Sequence, residues 1–226
     1  MFFRGIINGS HNMNISQTTK RRVMEKKARR EAILSVTRKV FFTKGFMGAT
    51  MDEIAQKCQL AKGTIYLYFQ SKEELYVSLM VEGFQLLRKE MGKIESLQLE
   101  SDEILEALAE GYYEFYREKK GYFEIMFLSH QPDIHTRVSD ELLAKCINEG
   151  RACLETVSNV IQKGIDTGLF RKIDPWTVAN ILWGMLNGII INYEKDPVYR
   201  EEIVGIELKE LLKTGVYILL EGLKIM

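Results

Sequence analysis

The run from Thr50 to Leu75 constrains this 226-residue chain more than any other stretch. Thr50 precedes Met51-Asp52-Glu53, so a side chain able to cap a helix is followed by two acids in the first turn. There the orphan amides and the positive end of the helix dipole favour them. Thr50 and Glu53 also have the spacing of a capping box. Met51, Ile54, Ala55 and Cys58 recur at helical spacing and predict a short helix with one buried face. Gln59-Leu60-Ala61 has the length of a tight turn, and a second short helix follows over about Lys62 to Phe69. Ser71, with Glu74 three residues on, caps another helix. Two short helices joined this way make a helix-turn-helix, whose second helix enters the major groove of DNA.

Geometry says which residues that second helix offers. At about 100° per residue, Ile65 and Phe69 fall together on the core side. Gly63, Thr64 and Leu67 fall opposite, with Tyr66 and Tyr68 on the flanks. Gly63 lets DNA come close. Thr64 offers a hydroxyl and a methyl, and Leu67 an apolar surface for a thymine methyl. The tyrosine hydroxyls reach towards phosphates, unless both rings are half-buried core. Lys62 and Lys72 bracket the helix as phosphate partners, and Thr50 marks a helix N-terminus suited to a phosphate.

Charge supports a polyanionic partner. The chain is neutral overall, but residues 1–72 carry 14 Lys/Arg against 4 Asp/Glu, and the remainder 17 against 27. A basic end on an acidic body is the footprint of a chain that meets a polyanion with that end. Lys20-Arg21-Arg22 and Lys26-Lys27-Ala28-Arg29-Arg30 are its densest part. They either track DNA or form a solvated helix end. Residues 1–22 lack apolar periodicity and are expected to be a flexible basic arm. A first helix is expected from about Met24 to Lys44, closed by Gly45.

Three segments together closely resemble the signature of the tetracycline-repressor (TetR) family of transcription regulators. They are Ala49-Thr50-Met51-Asp52-Glu53-Ile54-Ala55, then Leu60 through Phe69, then Ser71-Lys72-Glu73-Glu74-Leu75. With Ile33, Phe41 and Gly45-Phe46, the resemblance covers about residues 28–76. It implies an all-α protein: a three-helix DNA-binding domain over 23–72, then a larger helical ligand-binding and dimerisation domain over 73–226. It also implies that Thr50, Lys62, Gly63, Thr64, Tyr66, Leu67, Tyr68 and Lys72 lie at the DNA. Leu67 stands where many family members have a polar or aromatic residue, so no base preference is carried over.

The remainder is expected to dimerise and to sense. Asp174-Pro175 reads as a cap and first residue of a helix running to about Lys195, apolar on more than one side. A last helix is expected over about Tyr199 to Lys224. Ile181, Met185, Gly188 and Ile189 on the first, with Leu212, Val216 and Leu219 on the second, are candidates for a homodimer interface built as a four-helix bundle. If both helices pack only within their own subunit, that face does not exist. Between about 75 and 170, Met and aromatic residues are dense. Phe84, Tyr112, Tyr116, Phe123, Met126 and Phe127 are candidates to line a pocket for a small apolar or amphipathic effector, with His130 as a polar handle. For any one of them, plain core packing is the commoner role. His130-Gln131-Pro132-Asp133 breaks the helical pattern, and a long helix follows from about Ser139 to Thr167.

The expected function is a ligand-responsive regulator, a repressor released from a palindromic operator by its effector. A helix-turn-helix protein answering to a protein partner is the alternative. There is no HExxH, GxSxG or GxxxxGK[ST] motif, and His11, His130 and His135 make no metal set with the cysteines, so no enzyme activity, metal or cofactor is expected. The three cysteines are widely spaced. Cys146 and Cys153 lie about 10 Å apart along a helix, too far for a disulfide. No signal peptide or membrane span is read, and the expected location is the cytoplasm.

Overall fold

The computed structural model describes residues 17–128, 137–195, 198, 201 and 205–225. Its elements are α1 (Gln17–Gly48), α2 (Met51–Lys57), α3 (Lys62–Tyr66), α4 (Lys72–Glu95), α5 (Ser101–Glu118), α6 (Lys120–Phe123), α7 (Asp140–Asp166), α8 (Pro175–Lys195) and α9 (Leu208–Leu223). A π-helical turn, Glu124–Leu128, continues α6. The architecture is all-α; an isolated bridge between Phe170 and Lys224 ties the C-terminus to the end of α7.

Two hydrophobic cores organise these helices. The first gathers Ile33, Val40 and Phe41 of α1, Ile54 of α2, Ile65 and Phe69 of the helix-turn-helix, and Leu75, Tyr76 and Leu79 of α4. The second gathers Leu87 and Met91 of α4 with residues of α5 to α9. Helix α4 therefore belongs to both. The expected division at residue 72 falls on its first residue, but the burial of Leu75 to Leu79 extends the N-terminal core into it.

α1 starts earlier than apolar periodicity implies. Residues 17–22, expected in the arm, are helical. Long straight-chain side chains favour helix without any apolar stripe, and Arg21 pairs with Glu25 at i, i+4, 2.7 Å apart. At the other end Gly45 has φ +67 and ψ 176, a conformation cheap only for glycine. It breaks the helix at the expected residue, and one more turn follows to Gly48. Ser139 and Asp174 cap α7 and α8: Leu142 N donates to Ser139 Oγ at 3.3 Å and Thr177 N to Asp174 Oδ2 at 2.9 Å. The last helix is shorter than expected. Gly205, with φ +61, precedes a non-helical stretch, and α9 begins at Leu208. His11, His130 and His135, and the break around Pro132, lie outside the described residues.

Candidate nucleic-acid interface

α2 is set by its cap and its buried face. Glu53 N donates to Thr50 Oγ1 at 3.2 Å, and Met51, Ile54 and Ala55 are buried. The Glu53 carboxylate meets Lys44 Nζ at 2.8 Å and Lys57 Nζ at 3.2 Å. These two ammoniums hold its pKa below the ordinary value. The turn passes through Gln59 at φ +54, and Thr64 N donates to Ala61 O at 2.8 Å to start α3. Ile65 and Phe69, both wholly buried, fix the rotation of α3 about its axis.

That rotation leaves the other side of α3 free. Leu67 is 76% exposed and Tyr66 42%. Gly63 is exposed, with nothing within 4 Å of where a Cβ would stand. Thr64 and Tyr68 are half-buried. Lys62 pairs with Asp52 at 2.8 Å, which raises its pKa; an exposed pair of this kind contributes little and yields readily to a phosphate. Lys72 is engaged differently. Its Nζ donates to Phe46 O at 2.9 Å and Ala49 O at 3.0 Å and lies 4.1 Å from the Phe46 ring centroid. Two of its three N–H bonds thus satisfy carbonyls near the end of α1.

Arg30 holds the end of the recognition helix, a role its place in a run of like charges does not reveal. Its Nη1 donates to Tyr68 O at 2.7 Å and its Nη2 to Ser78 Oγ at 3.1 Å. Its guanidinium carbon sits 3.9 Å from the Phe69 centroid. Glu74, at 3.6 Å, completes the surround, so α1, α3 and α4 meet on one side chain.

In the body, the five aromatic residues of the expected effector set come together as a stack of rings, Met126 lies in the same core, and His130 is outside the described residues. Phe123 lies 5.0 Å from Phe127, 5.1 Å from Tyr116 and 6.0 Å from Tyr112. Phe84 lies 6.0 Å from Phe127, and Trp183, which sequence reasoning did not single out, is 5.1 Å from Tyr112 and 5.5 Å from Phe127. The signal for Trp183 lay in its helix, read only for dimerisation. One polar pair is buried here: Tyr112 Oη donates to Asn187 Oδ1 at 2.7 Å, and Asn187 Nδ2 donates to Trp183 O at 2.9 Å. Burial drives the Tyr112 pKa well up, so its hydroxyl stays a donor. The cavity beside this cluster is only about 20 Å³, room for a water at most. A larger cleft of about 500 Å³ runs along the outside between α5 and α9, lined by Glu103, Glu106, Glu110, Lys209 and Lys213 around Leu212 and Val216. Cys58, Cys146 and Cys153 are free thiols, and burial pushes Cys146 up to about 11. Among the described residues, no group of three His, Cys, Asp or Glu is placed to hold a metal ion, and no helix is long and apolar enough to cross a membrane.

Known proteins carry the same pattern. Residues 33–79 match the model for bacterial regulatory proteins of the tetR family. The HTH-type transcriptional regulator YfiR of Bacillus subtilis is 30% identical over 183 residues, spanning 74% of this chain and 82% of that protein. The chain belongs to the TetR family. It is a helix-turn-helix transcription regulator. Two TetR-fold structures extend the likeness over the body. FadR from Bacillus subtilis, in complex with stearoyl-CoA, is 18% identical with a TM-score of 0.67, covering 85% of this chain and 98% of that one. AibR, in complex with isovaleryl coenzyme A and operator DNA, is 20% identical with a TM-score of 0.62, covering 84% and 97%.

On this TetR-family chain the expected dimer face divides in two. Leu212 and Val216 are buried inside their own subunit, 4% and 3% exposed, because Leu208, Leu212, Val216, Leu220 and Leu223 form the inward stripe of α9. Their side chains are taken up by packing within the subunit. Met185, Gly188, Ile189 and Leu219 are half-buried, and Ile181 is exposed. Ile218, one position from the expected Leu219, is 65% exposed. Met185 and Ile189 pack over Gly215, joining α8 to α9, while Gly184 and Gly188 have nothing within 4 Å of an added Cβ.

Proposed function

We propose that this protein acts in the cytoplasm as a homodimeric repressor that reads a palindromic operator with α3 and leaves it when a small apolar or amphipathic effector binds. The observation that carries the DNA reading is the free side of α3. Gly63, Thr64, Tyr66 and Leu67 project from a helix whose opposite side is fixed by Ile65 and Phe69, and an exposed leucine there serves no packing purpose. Thr50, Lys62, Tyr68 and Lys72 supply the flanking phosphate contacts, Lys72 through the one N–H its carbonyl partners leave. The dimer face uses Ile181, Gly184, Gly188 and Ile218.

The effector acts at the aromatic cluster. With about 20 Å³ open, the present conformation does not hold a ligand, so the effector must favour a state in which Phe123, Phe127 and Trp183 part. A ligand preferring that state by about 3 kcal/mol weakens operator binding roughly a hundredfold. Acyl-CoA thioesters are the class to test, since FadR and AibR hold stearoyl-CoA and isovaleryl coenzyme A in this fold. The closed core also supports a second reading, in which a partner protein in the α5–α9 cleft replaces the small effector.

Selection from a random duplex library tests the DNA reading, with Thr64→Ala, Leu67→Ala as the comparison because neither residue is core. Recovery of a palindrome that the variant does not bind supports it; no enrichment by a folded protein at low salt refutes it. Release of the selected operator by short- or long-chain acyl-CoA supports the effector reading. A complex indifferent to both transfers the sensing role to a protein partner.

A further inference from the structure

We propose that the N-terminal part of α1, residues 17–29, is a second DNA contact, with Arg22, Lys26 and Arg29 gripping the phosphate backbone beside the half-site that α3 reads. The inference rests on the operator-binding reading and adds a surface to it. Positions 22, 26, 29 and 33 share one face of α1. At Ile33 that face enters the N-terminal core, 1% exposed. From there towards the N-terminus the helix runs on for about 24 Å at 1.5 Å per residue, and the same face carries three cations in place of apolar side chains. All three are exposed, and among the described residues none has an ion-pair partner, whereas the neighbouring Arg21 is occupied by Glu25 at 2.7 Å.

The stripe, with Glu25 beside it neutralised by Arg21, faces a groove of about 470 Å³ whose other wall is Leu67 and Tyr68, at the end of α3. Whatever body α3 docks on is therefore the body that fills this groove. Arg30, one residue beyond the stripe, bonds Tyr68 O at 2.7 Å, so the cations are held at a fixed distance from α3. Arg22 and Arg29 are about 10 Å apart along the axis, which spans roughly three phosphates of one strand. Continuity with α3 favours DNA over an acidic protein as the occupant.

The test uses the full-length protein and its selected operator, with affinity measured against salt. R22Q/K26Q/R29Q removes the stripe and keeps good helix formers; K20Q/K27Q removes charge from the opposite face. Each phosphate contact contributes about 0.9 to the slope of log affinity against log salt. The stripe variant should lower the slope by roughly 2 to 3, so that affinity lost between about 50 and 200 mM salt shrinks by roughly 40-fold, with the selected sequence unchanged. The opposite-face variant should leave the slope within about 0.5. An unchanged slope in the stripe variant, the result if this groove serves an acidic protein, overturns the proposal. So does an equal loss per charge in both variants. A wild-type protein that binds no duplex at any salt removes the operator reading along with it; the slope result alone removes only the grip.

Discussion

Replacing Arg30 with methionine removes a guanidinium while keeping most of the stem's packing. Its hydrogen bonds run to Tyr68 O at 2.7 Å and Ser78 Oγ at 3.1 Å, and it stacks 3.9 Å from the Phe69 centroid. A hydrogen bond from a charged donor contributes about 1.5–3 kcal/mol, and the ring contact about 0.5–1 kcal/mol at a partly exposed site. The Glu74 pair, 3.6 Å long with the Arg30 side chain 33% exposed, adds little. These contacts share one group and do not sum, so the expected loss is about 2–3 kcal/mol. It falls on the last turn of α3, because Tyr68 O is the atom that loses its partner. Amide hydrogen exchange over residues 64–69 should accelerate roughly 30- to 150-fold relative to α2, at about 1.4 kcal/mol per tenfold. Specific operator affinity should fall while binding to random duplex persists, since the Arg30 charge is spent inside the protein. Acceleration below about threefold, or acceleration equal in α2 and α3, would refute the assignment of Arg30 as the local fastener of the recognition helix.

Other substitutions separate structural from DNA-facing roles. An ideal Cβ at Gly121 would stand 2.4 Å from Cγ of the Phe42 ring, and one at Gly83 2.5 Å from the movable Met126 sulfur. Gly121→Ala should cost about 1–3 kcal/mol as overpacking and lower Tm by several degrees, Gly83→Ala clearly less; a reversed order in thermal melts would contradict the packing described. Lys72→Met should destabilise the N-terminal domain by about 1–2 kcal/mol through the freed carbonyls of Phe46 and Ala49; unchanged stability with uniformly weaker DNA binding would instead make Lys72 chiefly a phosphate contact. Lys44 and Lys57 hold Glu53 below its ordinary pKa, so the stability it adds is present above the unfolded-state value and lost as pH falls through the lower folded-state value. Glu53→Gln should therefore flatten acid unfolding slightly below about pH 4.5, the usual carboxylate range, and identical acid limbs for both proteins would remove the pair from the account.

The helix-turn-helix was legible because its constraints are local. Caps at Thr50 and Ser71, the Met51/Ile54/Ala55 spacing and the Ile65/Phe69 pair each act within a few residues, and the rotation of α3 follows from them. The aromatic cluster was legible as a set, since Met and aromatic residues on successive helices have one interior to share. Which side of α9 faces inward was not. Leu208, Leu211, Leu212, Val216, Leu219 and Leu220 cover more than half of the helix surface, and only packing against α5 and α8 decides that Leu212 and Val216 turn in while Ile218 turns out. Arg30 was equally hidden: nothing in a run of five cations within nine residues marks the one whose partners are 38 and 48 residues away. Trp183 escaped because its helix was read only for dimerisation, although its ring also packs on Tyr112 and Phe127.

A single short segment touches both cores, and its geometry explains how it can. Phe123 and Phe127 belong to the aromatic cluster, yet Ile125 between them is buried in the N-terminal core. Residues two apart on a helix project about 200° from one another, so along this π-helical turn alternate residues reach opposite cores. Tyr76 of α4 donates its hydroxyl to Ile125 O and packs 5.1 Å from Phe46 and 6.1 Å from Phe41. Beside it Arg38 of α1 meets Glu82 of α4 at 2.5 Å and lies over the Tyr122 ring at 5.7 Å. Burial and the bond to Glu82 raise the Tyr122 pKa, so that hydroxyl remains a donor across the seam at any physiological pH. A molecule that displaces the backbone of this turn moves Ile125 or breaks its bond to Tyr76. Either change acts on α4 within one turn of Glu74 and Ser78, the residues that with Tyr68 surround Arg30. Contact is thus continuous from the aromatic cluster to the end of the recognition helix, through packed groups with few ways to yield; α4 carries it together with α1, whose Phe42 and Arg38 pack on Tyr122.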